Sequence, residues 1–232
     1  MRVTTVRGHT FLADGLKPGS VVVDLGANTG AFSEEVVRRF SIRCFAVEPS
    51  SQLFQGIAPW PNLRVFNFAV TDRNGPVVFF QSCNSETSSI HPMNVPPGTE
   101  AGQSEVPGRT LESFLREQGI QQVALLKVDI EGAEVQVFGP SLSNEILAAV
   151  EQITMEFHDF TGSATREQIA LVVSRLRSAG FCPIRFSHTN MDWLFFRPEP
   201  LGVSPLCRLW LKFGVRNWLL LKRNLLRILG RV

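Results

Sequence analysis

Two short stretches hold the ionisable side chains best placed to act together: Lys127, Asp129 and Glu131 in LLKVDIEG, and Glu156, His158 and Asp159 in MEFHD. In each, the charges follow a run of aliphatic and β-branched residues, the pattern of a buried strand that ends at a polar edge. Lys127 and Asp129 are two residues apart, so on a strand they point to the same side, and Glu131 with Gly132 then opens a turn. An imidazole among carboxylates suits proton transfer, because an unperturbed pKa of about 6.5 leaves it partly neutral near pH 7. The same donors suit a hard divalent cation, Mg²⁺ or Mn²⁺, with Asp129, Glu156 and His158 as the ligand set. Structural roles are open to these residues too. Asp129 can pair with Lys127, Glu131 can favour a helix N-terminus, and Glu156 and His158 alternate with Met155 and Phe157 as on any half-buried strand.

A third polar cluster lies in VVVDLGANTG, Val21 to Gly30. Three valines run into Asp24 and a glycine-spaced turn, and Ala31 to Phe40 follows with helical patterning. A helix N-terminus offers unpaired N–H groups and partial positive charge, while Gly26 and Gly30 allow close approach of a ligand. Neither phosphate cradle fits this turn. Asn28 stands where the dinucleotide fingerprint wants its second glycine, and Ala31-Phe32 stands where a Walker loop needs Lys-Ser/Thr. Glu48, at the end of CFAVEP, is placed to accept the two hydroxyls of a ribose. Asp24 can instead brace the loop.

These clusters need strands to bring them to one edge. The patterning predicts strands at Ser20 to Asp24, Cys44 to Glu48, Leu63 to Val70, Val123 to Asp129 and Gln152 to Phe157, with helices between several of them. A helix over Thr165 to Ala179 is marked by a capping-box spacing, Thr165 with Gln168, and by Gly180 at its end. Two short strands, Cys182 to Phe186 and Trp193 to Phe196, then form a hairpin that puts one antiparallel strand into the sheet. The expected fold is α/β: a Rossmann-like, doubly wound, mostly parallel sheet with a C-terminal antiparallel hairpin. In such sheets ligands bind beyond the carboxyl ends of the strands.

Taken in order, VVVDLGANTG, FAVEPS, NFAVTDRNG, LLKVDIEGAE and MEFH resemble the FkbM family of S-adenosylmethionine-dependent methyltransferases, over roughly Leu16 to Phe196. LLKVDIEGAE is the most specific of these motifs. The resemblance implies S-adenosylmethionine as cofactor, held by Asp24, Gly26, Asn28, Gly30, Glu48, Pro49, Ala69, Val70 and Asp129. It further implies methylation of hydroxyl groups on small molecules, sugars or lipid-linked glycans. Methyl transfer to oxygen requires alignment of donor and acceptor and removal of a proton, and a positioned base contributes ~100- to 10,000-fold. His158 is the expected base, with Asp129, Glu131 and Lys127 as its catalytic neighbours. Nucleobase and protein-amide methyltransferases resemble one another in an Asn/Asp-Pro-Pro-aromatic box, where this chain has Asp129-Ile130-Glu131-Gly132. Two other classes remain as alternatives: a nicotinamide-dependent oxidoreductase, disfavoured by the incomplete glycine set, and a non-catalytic nucleotide-binding module acting through a basic tail.

The 232 residues, 44% hydrophobic and 19% charged, suit one globular domain with a full core. Four scattered cysteines without C-x-x-C spacing suggest neither zinc nor disulfides. With no signal-peptide run at the N-terminus and no ~18-residue uncharged apolar stretch, a cytoplasmic protein is expected. Gln81 to Gly108 is rich in Ser, Pro, Gly, Asn and Thr without a lasting period, and is read as a long loop that could carry Asn84, Ser88, Ser89 or His91 over the pocket. The net charge of +2 divides into +7 over Leu201 to Val232, which has no acidic residue, and −5 over the rest. Residues 1–200 are therefore read as the catalytic domain and 201–232 as a basic amphipathic helical tail, with Gly202 and Gly214 as break points. The tail suits peripheral contact with the inner face of a membrane or contact with a second copy. The negative remainder disfavours nucleic acid as a partner.

Overall fold

The computed structural model describes residues 1–221 except 85, 86, 160 and 161. Its strands are β1 (Val3–Val6), β2 (His9–Leu12), β3 (Val21–Leu25), β4 (Arg43–Val47), β5 (Leu63–Phe66), β6 (Ala69–Val70), β7 (Gly75–Ser82), β8 (Glu100–Arg109), β9 (Leu125–Val128), β10 (Gln152–Met155), β11 (Cys182–Arg185) and β12 (Trp193–Phe196). Helices are α1 (Ala31–Phe40), α2 (Ser51–Gly56), α3 (Leu111–Glu117), α4 (Glu134–Val137), α5 (Asn144–Ala148), α6 (Arg166–Ser178) and α7 (Pro205–Leu209). The last of these runs on through a π-helical segment, Trp210–Val215, to helical residues 216–221.

Seven strands form the central sheet in the order β11-β12-β10-β9-β3-β4-β5. β12 runs antiparallel to both β10 and β11, and the other pairings are parallel. The expected Rossmann-like sheet with one antiparallel strand from a C-terminal hairpin is therefore present. β3, β4 and β9 are buried along almost their whole length, as strands covered on both faces must be. One apolar layer packs α3, α4, α5 and α6 on the sheet through Phe114, Val137, Leu147 and Val172. The opposite layer uses Phe32 and Val36 of α1, Phe11 of β2, and Leu211 and Val215 of the C-terminal helix. Fully burying each such side chain contributes about 1.5–3 kcal/mol. The capping box at Thr165 forms in full, with Thr165 Oγ1 accepting from Gln168 N and the Gln168 side chain accepting from Thr165 N.

Four expectations change. The segment read as one strand from Leu63 to Val70 divides: β5 joins the central sheet, whereas β6 turns away to pair with β8. The region read as a loop from Gln81 to Gly108 is strand at its two ends, where β7 and β8 pair antiparallel from Gly75↔Gly108 to Ser82↔Glu100 as a β-arm, while the described residues between Ser82 and Glu100 are loop with one 3-10 turn at Pro92–Asn94. This arm is mostly exposed and held by its backbone ladder over a small core of Ala69, Phe79 and Val106, so its side chains show no alternation. An N-terminal hairpin, β1 with β2, was not expected; its two-residue Arg7-Gly8 connection has positive φ at both positions, 47° and 89°. The helix does not break at Gly214, whose missing Cβ leaves room for the Trp210 indole. The part of the tail expectation resting on Lys222 to Val232 lies outside the described residues. No helix among the described residues is long and apolar enough to cross a membrane.

At Gly26 the loop after β3 passes close to the residue that follows β9. The Gly26 φ is +81°, and a Cβ there would stand 1.8 Å from the carbonyl oxygen of Asp129. Glycine at this position lets the loop after β3 lie against the end of β9. Gly26→Ala is expected to lower the unfolding free energy, read from urea titration, by more than the ~1–3 kcal/mol of left-handed backbone strain alone. Gly19→Ala supplies the control, since Gly19 has φ +82° and open space around it. Equal losses in the two variants would contradict the close-approach account.

Candidate active site

Each polar cluster lies at or just past the carboxyl end of a parallel strand. Asp24 and Lys127 are register partners on β3 and β9, and Thr154 of β10 stands opposite Lys127 on the other side. Lys127 is buried, with Nζ 3.1 Å from Asp24 Oδ1 and 3.5 Å from Asp129 Oδ2 while donating to the Gly26 carbonyl at 2.5 Å. Burial opposes its charge, but Asp24 and Asp129 outweigh burial and hold the amine protonated far above neutrality. Lys127 is therefore a fixed cation and not a base. Asp24 is completely buried, and its other oxygen accepts from Ser33 Oγ at 2.6 Å.

Two cavities meet at this edge. One is lined by Val47, Glu48, Pro49, Ala69, Val70 and Ile130, among others. The second is lined by Arg7, His9, Thr29, Phe32, Glu156 and His158, among others. Gly26, Asn28, Asp129 and Glu131 line both and form the wall between them. Of the residues expected at the cofactor, Asn28, Glu48, Pro49, Ala69, Val70, Asp129 and Gly26 line the first cavity. Asp24 and Gly30 line neither. Asp24 is the counter-ion of Lys127, and Gly30 is required because a Cβ would meet Ile57 at 2.8 Å. Asn28, in the left-handed region at φ 51°, donates its N–H to Glu48 Oε2, and Ser50 N donates to Oε1, both at 2.8 Å. Each Glu48 oxygen keeps a further lone pair for a hydroxyl. Burial pushes the carboxyl up to about 7 against those two N–H bonds.

The second cavity contains a ring of titratable groups. His158 is buried; its Nε2 stands 3.2 Å from Glu131 Oε2 and 3.5 Å from Asp129 Oδ1, while Nδ1 donates to Glu134 Oε1 at 2.9 Å. Burial would lower its pKa, but Glu134, Glu131 and Asp129 override burial and push it up to about 10. The three carboxylates thus favour the protonated ring, where the unperturbed value had suggested a partly neutral one. Burial would raise Asp129, yet Lys127, His9 and His158 hold it well below the usual carboxylate range. Burial pushes Glu131 and Glu156 up to about 8 each, with the Asp129 charge adding to it.

Two members of the ring were not anticipated. His9, at the start of β2, is buried edge-on against Phe32 with Nε2 3.5 Å from Asp129 and 3.9 Å from Glu156. Its signal was the pair of β-branched runs around Arg7-Gly8. Glu134 is fully buried at the start of α4 and accepts from Ile130 N and Gly132 N as well as from His158. It is the last acid of LLKVDIEGAE, behind a turn in which Glu131 and Gly132 both take positive φ. The metal-type donors regroup accordingly, into His9, Asp129 and Glu156 and into Asp129, Glu131 and His158. The arm lies over both cavities: Phe79, Ser88 and Ile90 line the first, Asn84 and Thr87 the second, and Ser89 Oγ donates to the Glu131 carbonyl. His91 lines neither cavity.

A central sheet with one antiparallel strand near its edge, and a carboxylate-bearing pocket at the carboxyl ends of β3, β4 and β9, form the arrangement in which open α/β sheets bind ligands such as nucleotide cofactors. Residues 24–182 match the model of the methyltransferase FkbM domain, and the chain belongs to that family of S-adenosylmethionine-dependent methyltransferases. It is 25% identical over 160 residues to the 2-O-methyltransferase NoeI of Sinorhizobium fredii, covering 62% of this chain and 65% of NoeI. It is also 25% identical over 214 residues to the AMB antimetabolite synthetase AmbE of Pseudomonas aeruginosa, covering 75% of this chain. The match spans only 10% of AmbE. Among solved structures, a TehB-like methyltransferase from Corynebacterium glutamicum aligns with a TM-score of 0.43 at 10% identity, over 81% of this chain and 88% of that one.

The ring has a pH signature. His158 binds its proton in the folded state up to about pH 10 and in the unfolded state only to about 6.5, so its stabilising contribution is full below 6.5 and lost as pH rises to 10. Glu131 and Glu156 likewise hold protons up to about 8 when folded, against about 4.3 when unfolded, so ionising them costs stability over that window. Melting temperature is expected to fall as pH rises from 5 to 10, and Glu131→Gln to remove part of the fall below about pH 8. A melting temperature that climbs over this range in both proteins would contradict the assignment.

Proposed function

We propose that this protein transfers the methyl group of S-adenosylmethionine to a hydroxyl of a small molecule or saccharide, with His158 as the general base. The observation that carries the reading is the position of His158: braced by a buried carboxylate and placed beside Asp129 and Glu131, which line both cavities. The first cavity fits the cofactor. Glu48 offers free lone pairs for a ribose, and Val47, Val70, Phe79 and Ile90 offer apolar walls for a flat ring. Once bound, the cofactor supplies an electrophilic methyl on a positively charged sulfur.

The chain's own residues then have three tasks. Lys127 keeps Asp129 ionised, so the wall between the cavities is negative and favours a cation beside it. Glu134 fixes the His158 ring through Nδ1 and leaves Nε2 directed at Glu131 and Asp129. A cation brought next to an imidazolium disfavours its charge, so His158 yields its extra proton more readily with the donor in place and can accept one from a hydroxyl. The lining of the second cavity by Arg7, Asn28, Thr29, Asn84 and Thr87, with Phe32 on one side, supports a polyhydroxylated acceptor. Similarity to a 2-O-methyltransferase supports oxygen as the methylated atom.

A divalent cation is the second reading, favoured by two donor triads that share Asp129, with all ligand atoms in each lying within 4.8 Å of one another. Hard oxygen donors with one imidazole suit Mg²⁺ or Mn²⁺, which would supply Lewis-acid activation of the hydroxyl. Activity that survives exhaustive chelation supports the base alone; activity lost to chelation and restored by Mg²⁺ or Mn²⁺ supports the ion.

The test combines labelled S-adenosylmethionine, a panel of hydroxylated acceptors, and NMR of the product. His158→Ala is expected to lower kcat by ~100- to 10,000-fold while leaving the Kd for S-adenosylhomocysteine within a few-fold. Glu48→Ala is expected to weaken that Kd by tenfold or more. In wild type, kcat is expected to rise with pH through the alkaline range, and Glu134→Gln to move the rise to lower pH because one carboxylate facing His158 is gone. A methyl found on nitrogen, or wild-type kcat in His158→Ala, would overturn the proposal.

A further inference from the structure

We propose that the exposed face of the C-terminal helix docks on an anionic lipid surface. The helix over residues 205–221 has two apolar faces. Leu211, Val215 and Leu220 are buried, the first two in the same layer as Phe32 and Phe11. On the other side Leu206 is 79% exposed, Leu209 54%, Trp210 53%, Phe213 55% and Leu221 60%. Spacings of three and four residues put Leu206, Leu209, Trp210 and Phe213 on one side, and the π-helical segment from Trp210 to Val215 carries that side on to Leu221. Large apolar residues concentrated on one exposed face mark an interaction surface rather than ordinary surface scatter.

Charge selects the partner. The helix and the sequence after it carry Arg208, Lys212, Arg216, Lys222, Arg223, Arg227 and Arg231 with no acidic residue, while the rest of the chain has a net charge of −5. Lys212 Nζ lies 5.5 Å over the Phe213 ring, so a cation borders the apolar face directly. Arg216 is engaged inward, with Nε donating to the Arg185 carbonyl at 3.0 Å, and anchors the helix to the sheet. A second copy meeting this face by two-fold symmetry would add its own net positive, acid-free C-terminal sequence to this one, which disfavours that occupant. An anionic bilayer surface satisfies both features: its headgroups attract the cations, and its interfacial zone accepts Leu, Phe and the amphipathic Trp ring. The inference is independent of the methyl-transfer reading, since none of these residues lines either cavity of the active site.

Co-sedimentation of the full chain with phosphatidylcholine vesicles, with and without phosphatidylglycerol, tests it. Binding is expected only with phosphatidylglycerol, and is expected to weaken steeply with added salt. Lys212→Glu should weaken it about five-fold or more, and the double variant Leu206→Glu, Phe213→Glu should abolish it, with melting temperatures like wild type. Equal sedimentation with both vesicle types, or none, would overturn the proposal. A dimer in light scattering that Phe213→Glu dissociates, with no vesicle binding, would overturn it in favour of a second copy, and unchanged sedimentation of the double variant would overturn it by showing that this face is not the lipid contact.

Discussion

The site depends on one buried ammonium. Lys127 sits at the carboxyl end of β9 with carboxylates on two sides and the Gly26 carbonyl as a third partner. An isolated charge in this position would be expensive, and breaking a buried pair by removing one partner typically costs about 3–5 kcal/mol. The arrangement ties three strand-end features together. The loop after β3 is held through the Gly26 carbonyl, Asp24 is neutralised so that it can lie fully buried, and Asp129 is kept ionised at the wall between the cavities. Gly26 belongs to the same constraint, because the chain can lie this close to Asp129 only without a Cβ.

From that cation the charge pattern spreads outward. An ionised Asp129 makes Glu131 and Glu156 harder to ionise and the His158 imidazole easier to protonate. The outcome is a site with an imidazolium and two carboxyls of raised pKa around a single fixed negative centre. Such a ring is poised to respond to an incoming positive charge, which an S-adenosylmethionine sulfonium carries and its demethylated product does not. The segment between β7 and β8 borders both cavities, with Ser88 and Ile90 lining one and Asn84 and Thr87 the other.

Much of this was legible in the sequence, and the limits were physical. Parallel strands buried on both faces announce themselves as aliphatic runs, so Val21–Leu25, Leu125–Val128 and their polar ends could be read directly. Thr165 and Gly180 bounded α6 because caps are local chemistry. The β7–β8 arm was not legible, since an exposed ladder held by backbone pairing imposes no alternation on Glu100 to Arg109. His9 was missed because its role depends on contacts more than a hundred residues away, and Glu134 because a buried acid in a four-residue helix looks like an ordinary first-turn charge. Asp24 was placed at the cofactor by its motif, whereas the structure commits both of its oxygens to Lys127 and Ser33.

The account turns on whether His158 is a proton reservoir that a cationic ligand can discharge. NMR titration of the His158 imidazole, assigned by comparison with a His158→Gln variant, measures this in the free protein and with S-adenosylmethionine or S-adenosylhomocysteine bound. The expected result is titration near 10 in the free protein, a clear downward shift with the sulfonium, and little shift with the uncharged sulfur. Titration near the unperturbed value of about 6.5 in the free protein, or identical shifts with both ligands, would contradict it.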